Sequence, residues 1–320
     1  MRRILITAAA SPFPSAVARA LLARPDVESV VVVDENQPDP PPRAEAISLR
    51  ASYSALRDVI RDHRIDTVVH GALSSDRLGD RPHGREAEVI ATMQVAAVAA
   101  DLSGPVRSLV ALSSTTRYEA GPGSAQFRDE REVLGSPPEQ IYAASLAEAE
   151  DYLVALADQR PNLAVCILRL ADLVGPTMTS PLAAVLRNSM SPLYVGFDPM
   201  VQFLHVDDAV AAVEHAVEHE LAGTFNVASR GFIEWSRAIR LSGSALLAVL
   251  PPALDPFARL RRLVGADAVP AGLTTTLQFG RVAATDRLEA TGFVAAHTVE
   301  DCTRVLRESR RSSLPHRLMP

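Results

Sequence analysis

The sequence predicts an α/β fold, a doubly wound parallel sheet with a smaller C-terminal lobe. Short apolar segments alternate with amphipathic stretches through the first half of the chain, and strands that alternate with helices form right-handed βαβ units of a parallel sheet. This alternation weakens after Pro176, where prolines separate shorter helical segments. The length of 320 residues is enough for one large domain and an added lobe.

Each element follows from its pattern of apolar residues. Compact apolar runs predict strands at residues 3–7, 29–33, 67–70, 108–113 and 164–170. Apolar positions three or four residues apart predict helices at residues 15–23, 55–62, 86–100 and 142–157. The polar segment 121–135 is expected to lie over the mouth of the sheet.

Composition excludes several classes of partner. The net charge is −6 with no basic stripe, so nucleic acid is not expected as a partner. No apolar stretch approaches the roughly 20 residues of a membrane span. Cys166 and Cys302 are far apart and unpatterned, which is typical of a reducing compartment. We expect a cytoplasmic protein with a small-molecule substrate and no metal site, and allow for a homodimer.

The chain contains no lysine, so all 32 of its basic side chains are arginine. A mechanism that needs an amine, such as a Schiff base or a catalytic ammonium, is therefore excluded for this chain acting alone. A genomic bias toward arginine codons explains most of the depletion, but the chemical consequence is the same.

An ordered series of segments resembles the extended short-chain dehydrogenases/reductases, the NAD-dependent epimerase/dehydratase family. The matching segments are 6–15, 69–72, 112–118, 142–146, 168–176, 203–208, 225–227 and 285–293. Within that family the chain is most similar to actinobacterial UDP-glucose epimerase-like proteins. The resemblance implies a Rossmann-like domain over residues 1–174, to which 201–230 returns, and a substrate lobe formed by 175–200 and 231–320.

The resemblance also implies a set of cofactor-binding positions around the first turn and the neighbouring strand ends. An acidic residue at the end of the second strand would hold the ribose hydroxyls, which favours NAD over NADP, although it is nearly as well explained as a turn residue. The positions are Ala8, Ser11, Phe13, Asp34, His70 and Ala72.

The first turn departs from the family pattern where three glycines are expected, at Ala8, Ser11 and Pro14. Glycine permits a tight turn and a close approach of the pyrophosphate, and a proline has no N–H to donate. Arg50 also stands where the family often carries an aspartate against adenine. We expect NAD to bind weakly or not at all; the alternative is a plain strand–turn–helix that binds no cofactor.

The implied catalytic set is Ser114, Tyr142 and Asp172, and it is incomplete. The family has a lysine four residues after the tyrosine, whose ammonium lowers the tyrosine pKa, and this chain has Leu146 there. A phenol that stays protonated at neutral pH can donate a proton but is a poor base. Asp172 or Asp129 could supply the base, although a turn-capping role is the favoured reading of Asp172, and Tyr142 could be a packing aromatic.

His205, Asp207 and Asp208 have the composition of a metal cluster, but the corresponding segment is structural in the family and no metal site is expected. Three functions remain open. One is a redox-neutral enzyme that activates a carbonyl for isomerisation, dehydration or cyclisation. The others are a conventional NAD-dependent epimerase or oxidoreductase with an unusual turn, and a non-catalytic binding or regulatory scaffold.

Overall fold

The structure is a computed structural model of the chain. It describes residues 1–35, 43–49, 52–71, 82–118, 120–132, 141–176, 178, 180–250 and 273–313. Two positions singled out in the sequence, Arg50 and Ala72, lie outside the described residues.

The strands are, in chain order, β1 (Arg2–Thr7), β2 (Val27–Asp34), β3 (Glu45–Ser48), β4 (Thr67–His70), β5 (Ser108–Ser114), β6 (Phe127–Arg128), β7 (Ala164–Leu170), β8 (Asp172–Val174), β9 (Met190–Tyr194), β10 (Met200–Val201), β11 (Phe203–His205), β12 (Gly223–Val227), β13 (Ile233–Glu234), β14 (Ala245–Val249) and β15 (Val282–Ala283).

The helices are α1 (Pro12–Ala23), α2 (Tyr53–Asp62), α3 (Pro82–Ala99), α4 (Ile141–Gln159), α5 (Pro181–Arg187), α6 (Val206–Glu218), α7 (Trp235–Ser242), α8 (Leu273–Phe279), α9 (Asp286–Glu289) and α10 (Val299–Ser313). A short 3-10 helix covers Thr115–Arg117. Among the described residues, no helix combines the length and apolar character needed to cross a membrane.

Seven of the described strands form one parallel sheet in the order β3-β2-β1-β4-β5-β7-β12. The chain runs from β1 outward to β3, and then returns to the other side of β1 at β4. The carboxyl ends of β1 and β4 therefore flank the topological switch point, where open α/β sheets bind ligands. This order confirms the predicted doubly wound parallel sheet.

Apolar residues cover both faces of the sheet. One face packs against α1 and α6 through a core that includes Phe13 and Leu204. The other face packs against α2, α3 and α4 through a core that includes Leu56 and Leu153. A third cluster, centred on the fully buried Trp235, joins α5, α7 and α10 beyond the main sheet.

Both cysteines are buried and unpaired. Burial raises the pKa of the Cys302 thiol to about 12 and raises the pKa of Cys166 as well. A thiol that stays protonated is a poor nucleophile, so these side chains belong to the core.

Candidate active site

A buried chain of hydrogen bonds links β1, β4 and α3 at the switch point. Thr7 at the end of β1 is the register partner of His70 on β4, and its hydroxyl lies 2.7 Å from Nδ1 of that imidazole. The His70 Nε2 lies 2.8 Å from the hydroxyl of Thr92 on α3. His70 is 2% exposed, so this ring ties β1, β4 and α3 together, and its cofactor role remains a prediction.

Ala8 begins the first turn in a left-handed conformation, with φ at +60°. This is the backbone region that glycine adopts without steric cost and that alanine adopts at a cost of about 1–2 kcal/mol. The main chain has thus kept the conformation of a glycine turn although the glycine itself is absent. The resemblance located this turn correctly.

Few amide donors face outward from the turn. The Ala10 N–H donates to the buried Asp34 carboxylate at 3.0 Å, and the Ser15 N–H donates to the Ser11 carbonyl at 3.2 Å. Pro12 and Pro14 have no N–H. A helix start binds phosphate through several such donors, and at most one of the first four residues of this helix can offer one.

Pro14 packs closely over Gly71, which follows β4 on the other side of the switch point. A Cβ at Gly71 would lie 2.7 Å from Cγ of Pro14 and 2.9 Å from the Thr7 carbonyl oxygen. The proline ring therefore fills the space above a position where only glycine fits. The Phe13 side chain, 0% exposed, lies in the core, so this predicted cofactor position offers no side-chain contact to a ligand.

Ser114 ends β5 and caps the 3-10 helix. Its hydroxyl oxygen accepts a hydrogen bond from the Thr116 N–H at 3.1 Å and donates to the Thr116 hydroxyl at 3.0 Å. Ser114 is 3% exposed, whereas Thr116 is half-buried. The hydroxyl pair projects from the carboxyl end of β5 toward the ligand edge of the sheet.

Tyr142 lies in the first turn of α4 and is 8% exposed. It packs in a small apolar cluster with Leu146 and Ala149. Leu146 is 0% exposed and fills the position one turn further along α4. The position therefore contributes packing and no charge.

A cation reaches this site from a distant part of the chain. Nη2 of Arg281 lies 3.4 Å from Oδ2 of Asp172 and 3.4 Å from the Thr116 hydroxyl. Both charged side chains are largely buried, 8% exposed for Arg281 and 13% for Asp172. Asp172 begins β8. The structure thus connects Ser114 with Asp172 through Thr116 and Arg281.

Burial opposes both charges of this ion pair. It raises the pKa of Asp172, while Arg281 and Ser180 act in the opposite direction. Burial also lowers the pKa of Arg281, against the charges of Asp172 and Tyr142. Asp129, the other candidate base, is exposed and accepts the Arg131 N–H at 2.7 Å.

Sequence reasoning missed Arg281 because it lies 109 residues from Asp172 and in no matching motif. The residue before Arg281 is the one feature of the local sequence that could have pointed to it. Gly280 has φ at +71°, and a Cβ there would contact the Met200 carbonyl and lie 2.9 Å from Cβ of Pro199. A glycine before a lone arginine indicates a main chain that turns tightly to place that side chain.

A buried polar network lies next to the site and joins α4 to β5, β7 and β12. Ser113, Arg169 and Asn226 are side by side on β5, β7 and β12. Glu150 on α4 accepts hydrogen bonds from Ser113 and from Arg169. Arg169 also donates to the Tyr118 hydroxyl at 2.6 Å, and that hydroxyl donates to Asn226 at 2.9 Å. These bonds fix α4 against β5, which carries Ser114, and against β7, which directly precedes the strand of Asp172.

A second polar cluster lies at the start of α6. His205, Asp207 and His297 have potential ligand atoms within 4.8 Å of one another. The rings of His205 and His297 are stacked at 3.8 Å. Nδ1 of His205 accepts the Asp207 N–H at 3.2 Å, and Asp208 accepts the amides of 296 and 297. The sequence pointed to His205 and Asp207, but His297 could not be foreseen.

Comparison with known protein families identifies the class of protein to which this chain belongs. Residues 4–228 match the model of the NAD-dependent epimerase/dehydratase family. The chain belongs to this family, as its motifs predicted. Arg281 and His297 lie beyond the matched region.

Relatives in sequence include two uncharacterised mycobacterial proteins. An uncharacterised protein of Mycobacterium tuberculosis is 32% identical over 247 residues, which is 75% of this chain and 65% of that protein. An uncharacterised protein of Mycobacterium bovis matches to the same extent. The alignment thus spans less than two thirds of these relatives.

Solved structures share the fold over nearly the whole chain. A dTDP-glucose 4,6-dehydratase from Bacillus anthracis, in complex with NAD, has a TM-score of 0.73 at 15% identity and covers 98% of this chain and 97% of its own. A second dTDP-glucose 4,6-dehydratase, from Streptomyces venezuelae with NAD bound, has a TM-score of 0.72 at 19% identity and covers 97% of each chain. At such identities the likeness shows the fold alone.

Proposed function

We propose that this protein is an atypical family member that catalyses a redox-neutral conversion of a small carbonyl compound. The observation that carries the proposal is the continuous polar path from Ser114 through Thr116 and Arg281 to Asp172. These groups lie at the ligand edge of the sheet, which is where such folds place their substrates. The reaction is an isomerisation, a dehydration or a ring closure.

In this mechanism the Ser114 hydroxyl turns from Thr116 toward the substrate, and Ser114 and Tyr142 then donate hydrogen bonds to the substrate's carbonyl oxygen. The α-carbon becomes more acidic because the donors stabilise negative charge on that oxygen. Asp172 accepts the α-proton, and burial assists it because a carboxylate with a raised pKa is a stronger base. The proton then returns to a different carbon or face, or a β-hydroxyl leaves as water. No electrons are gained or lost.

We also propose that NAD binds weakly or not at all. The main support is the shortage of outward amides in the first turn, since Pro12 and Pro14 lack an N–H and the amides of Ala10 and Ser15 bond within the protein. The residues of this turn fit the pyrophosphate of a dinucleotide poorly. The mechanism above therefore assigns the cofactor no step.

The second candidate is a conventional NAD-dependent epimerase or oxidoreductase with an unusual turn. Membership of the family favours it, as do the NAD complexes of proteins with the same fold. The acidic Asp34 at the end of β2 also fits a ribose-binding position. Under this reading Tyr142 would still need a neighbouring cation.

The test is a cofactor-free exchange assay. The purified protein is incubated in D2O with a panel of ketose, aldose and keto-acid compounds, and deuterium at the α-carbon is followed by NMR. We expect exchange with at least one compound, and loss of exchange in Tyr142→Phe and in Asp172→Asn. Matched controls are Tyr152→Phe on the same helix and the exposed Asp158→Asn, which should behave as wild type.

Calorimetry with NAD and NADP completes the test. Low-micromolar affinity for either cofactor, or turnover that strictly requires one, contradicts the proposal and favours the conventional enzyme. No conversion with or without cofactor, together with silent substitutions at Tyr142 and Asp172, favours a binding scaffold.

A further inference from the structure

We propose that His205, Asp207 and His297 form a binding site for a divalent transition-metal ion, and that zinc is the ion these donors suit best. The site lies at the start of α6, against which the segment before α10 packs, and it is independent of the proposed reaction. The sequence expectation of no metal site considered His205, Asp207 and Asp208 alone. His297, from the C-terminal part of the chain, supplies the donor that this segment lacks.

The three donor groups are close together. Potential ligand atoms of His205, Asp207 and His297 all lie within 4.8 Å of one another, and Nδ1 of His205 lies 3.6 Å from Oδ2 of Asp207. A tetrahedral zinc ion with bonds of about 2.0–2.2 Å holds its donor atoms about 3.4 Å apart. Two imidazoles and one carboxylate are a donor set that zinc accepts, and they leave a fourth position for water.

Asp208 orients His297 for such a role. Oδ1 of Asp208 lies 3.1 Å from Nδ1 of His297, and the same carboxylate accepts the N–H groups of residues 296 and 297. The Asp208 side chain is 4% exposed. The imidazole therefore donates through Nδ1, and its Nε2 has the lone pair that can bind a metal. Metal-binding histidines commonly have a carboxylate partner of this kind, which fixes the tautomer and the direction of the ring.

The ring of His205 has to turn when an ion binds. The rings of His205 and His297 are stacked at 3.8 Å with an angle of 17° between their planes. Imidazole lone pairs lie in the plane of the ring, so two parallel rings do not direct them at one ion. Among the described residues, the hydrogen bond that holds the His205 ring is the 3.2 Å bond from the Asp207 N–H. We expect His205 to rotate and His297 to stay on Asp208.

The surroundings of His205 favour a cation and give it access. The charges of Asp207, Asp208 and Asp301 all act on His205 in the direction that favours a positive charge. Arg304 pairs with Asp301 and offsets one of these three charges. His205 is buried, whereas the side chain of Asp207 is 74% exposed. An ion therefore enters from the solvent on the side of Asp207.

A bound ion connects two hydrophobic cores. His205 lies between Leu204 and Val206, which belong to the core under the main sheet. His297 lies two residues before Val299, which belongs to the cluster centred on Trp235. Coordination thus ties the C-terminal segment to the sheet domain. We assign the ion a structural role, because an ion that binds the folded chain alone stabilises it in proportion to its occupancy.

The experiment is a zinc titration of the untagged full-length protein after treatment with a chelator. Calorimetry gives the stoichiometry and affinity, thermal unfolding gives the change in Tm, and cobalt(II) replaces zinc as a probe with visible absorbance. The ligand variants are His205→Asn, Asp207→Asn and His297→Ala. The matched control is His215→Gln/His219→Gln, which removes the other pair of adjacent imidazoles, also on α6, for which the described residues supply no third donor.

We expect one equivalent of zinc to bind, Tm to rise with zinc concentration, and each ligand variant to weaken binding at least about tenfold. The control should bind like the wild type. Absence of binding, equal affinity in all three ligand variants and the wild type, or loss of binding in the control would each overturn the inference.

A measurement on the wild type keeps the test decisive if a ligand variant fails to fold. The chain has eight histidines, and 15N NMR resolves the ring nitrogens of each. One equivalent of zinc should shift the ring nitrogens of two histidines, and the same two should shift in His215→Gln/His219→Gln. Unchanged ring nitrogens, or shifts that disappear in this control, would contradict the proposed site.

Discussion

The carboxylate of Glu150 accepts two hydrogen bonds from the guanidinium of Arg169, at 3.0 and 2.7 Å, in a region closed to solvent. Arg117 reaches the same carboxylate at 3.0 Å. One buried carboxylate thus balances two arginines, and it holds α4, β7 and the 3-10 helix in register. Because Ser114 and Tyr142 are attached to these elements, the geometry of the site depends on this pair.

We predict that Glu150→Gln lowers the free energy of unfolding by about 3–5 kcal/mol, because it removes the carboxylate that pairs with the buried Arg169 and leaves Arg117 with only the exposed Asp151. Urea denaturation followed by circular dichroism measures the change. Glu148→Gln, exposed on the same helix, is the matched control and should change stability by less than about 0.5 kcal/mol. Similar losses in both variants would show that the pair is not important for stability.

We predict that Ala8→Gly raises the free energy of unfolding by about 1 kcal/mol. Ala8 has φ at +60°, and glycine relieves this strain by more than it gains in unfolded-state entropy. Thermal and urea denaturation provide the measurement. Ala10→Gly in the same turn, where φ is not positive, should not stabilise the protein. Destabilisation by Ala8→Gly would contradict the strain argument.

We predict that Pro12→Ala/Pro14→Ala lowers the dissociation constant for NAD at least about tenfold. The two substitutions restore amide donors at the start of α1, and a hydrogen bond to a charged group contributes about 1.5–3 kcal/mol. Alanine is also smaller than proline, so Pro14→Ala opens the space over Gly71 that the Pro14 ring fills. Calorimetry gives the constants, with the exposed Pro161→Ala as control. Unchanged affinity would mean that donors at this turn do not limit binding.

We predict that stability falls as the pH drops below about 6.5, and that His205 contributes to this slope. Burial and the neighbouring His297 lower the pKa of His205, against Asp207, Asp208 and Asp301. The lowered pKa means that the unfolded chain binds this proton more tightly than the folded protein does. The stabilisation that neutral His205 contributes is therefore present above pH 6.5 and is lost as the pH falls.

The variant that isolates this effect is His205→Asn, since asparagine can still cap α6 but does not titrate. Urea denaturation at several pH values should give a shallower slope than in the wild type. An identical slope would show that other groups account for the acid sensitivity.

Local patterns predicted the sheet well because buried parallel strands leave a strong apolar signature. The bounds expected for β4 and β7 agree with the structure at both ends. The helix α1 begins three residues earlier than expected, because prolines are tolerated in a first helical turn and do not delay its start. The edge strand β3, with three of its four residues exposed, has no apolar pattern and was not predicted.

The site was predicted only in part. Motifs located Ser114, Tyr142 and Asp172, which lie within one family pattern. Arg281 could not be found in the same way, because its role depends on a tertiary contact across 109 residues. The catalytic roles of Ser114, Tyr142 and Asp172 remain predictions.

The remote origin of Arg281 has a consequence for the order in which the protein matures. Ser114, Tyr142 and Asp172 emerge from the ribosome long before Arg281 does, and the seven-stranded sheet, in which β5 carries Ser114, is complete at β12. Until the later segment docks through Gly280 onto Met200, the buried Asp172 has no guanidinium beside it. The scaffold can thus form first, while the charged centre is assembled as one of the last events of folding.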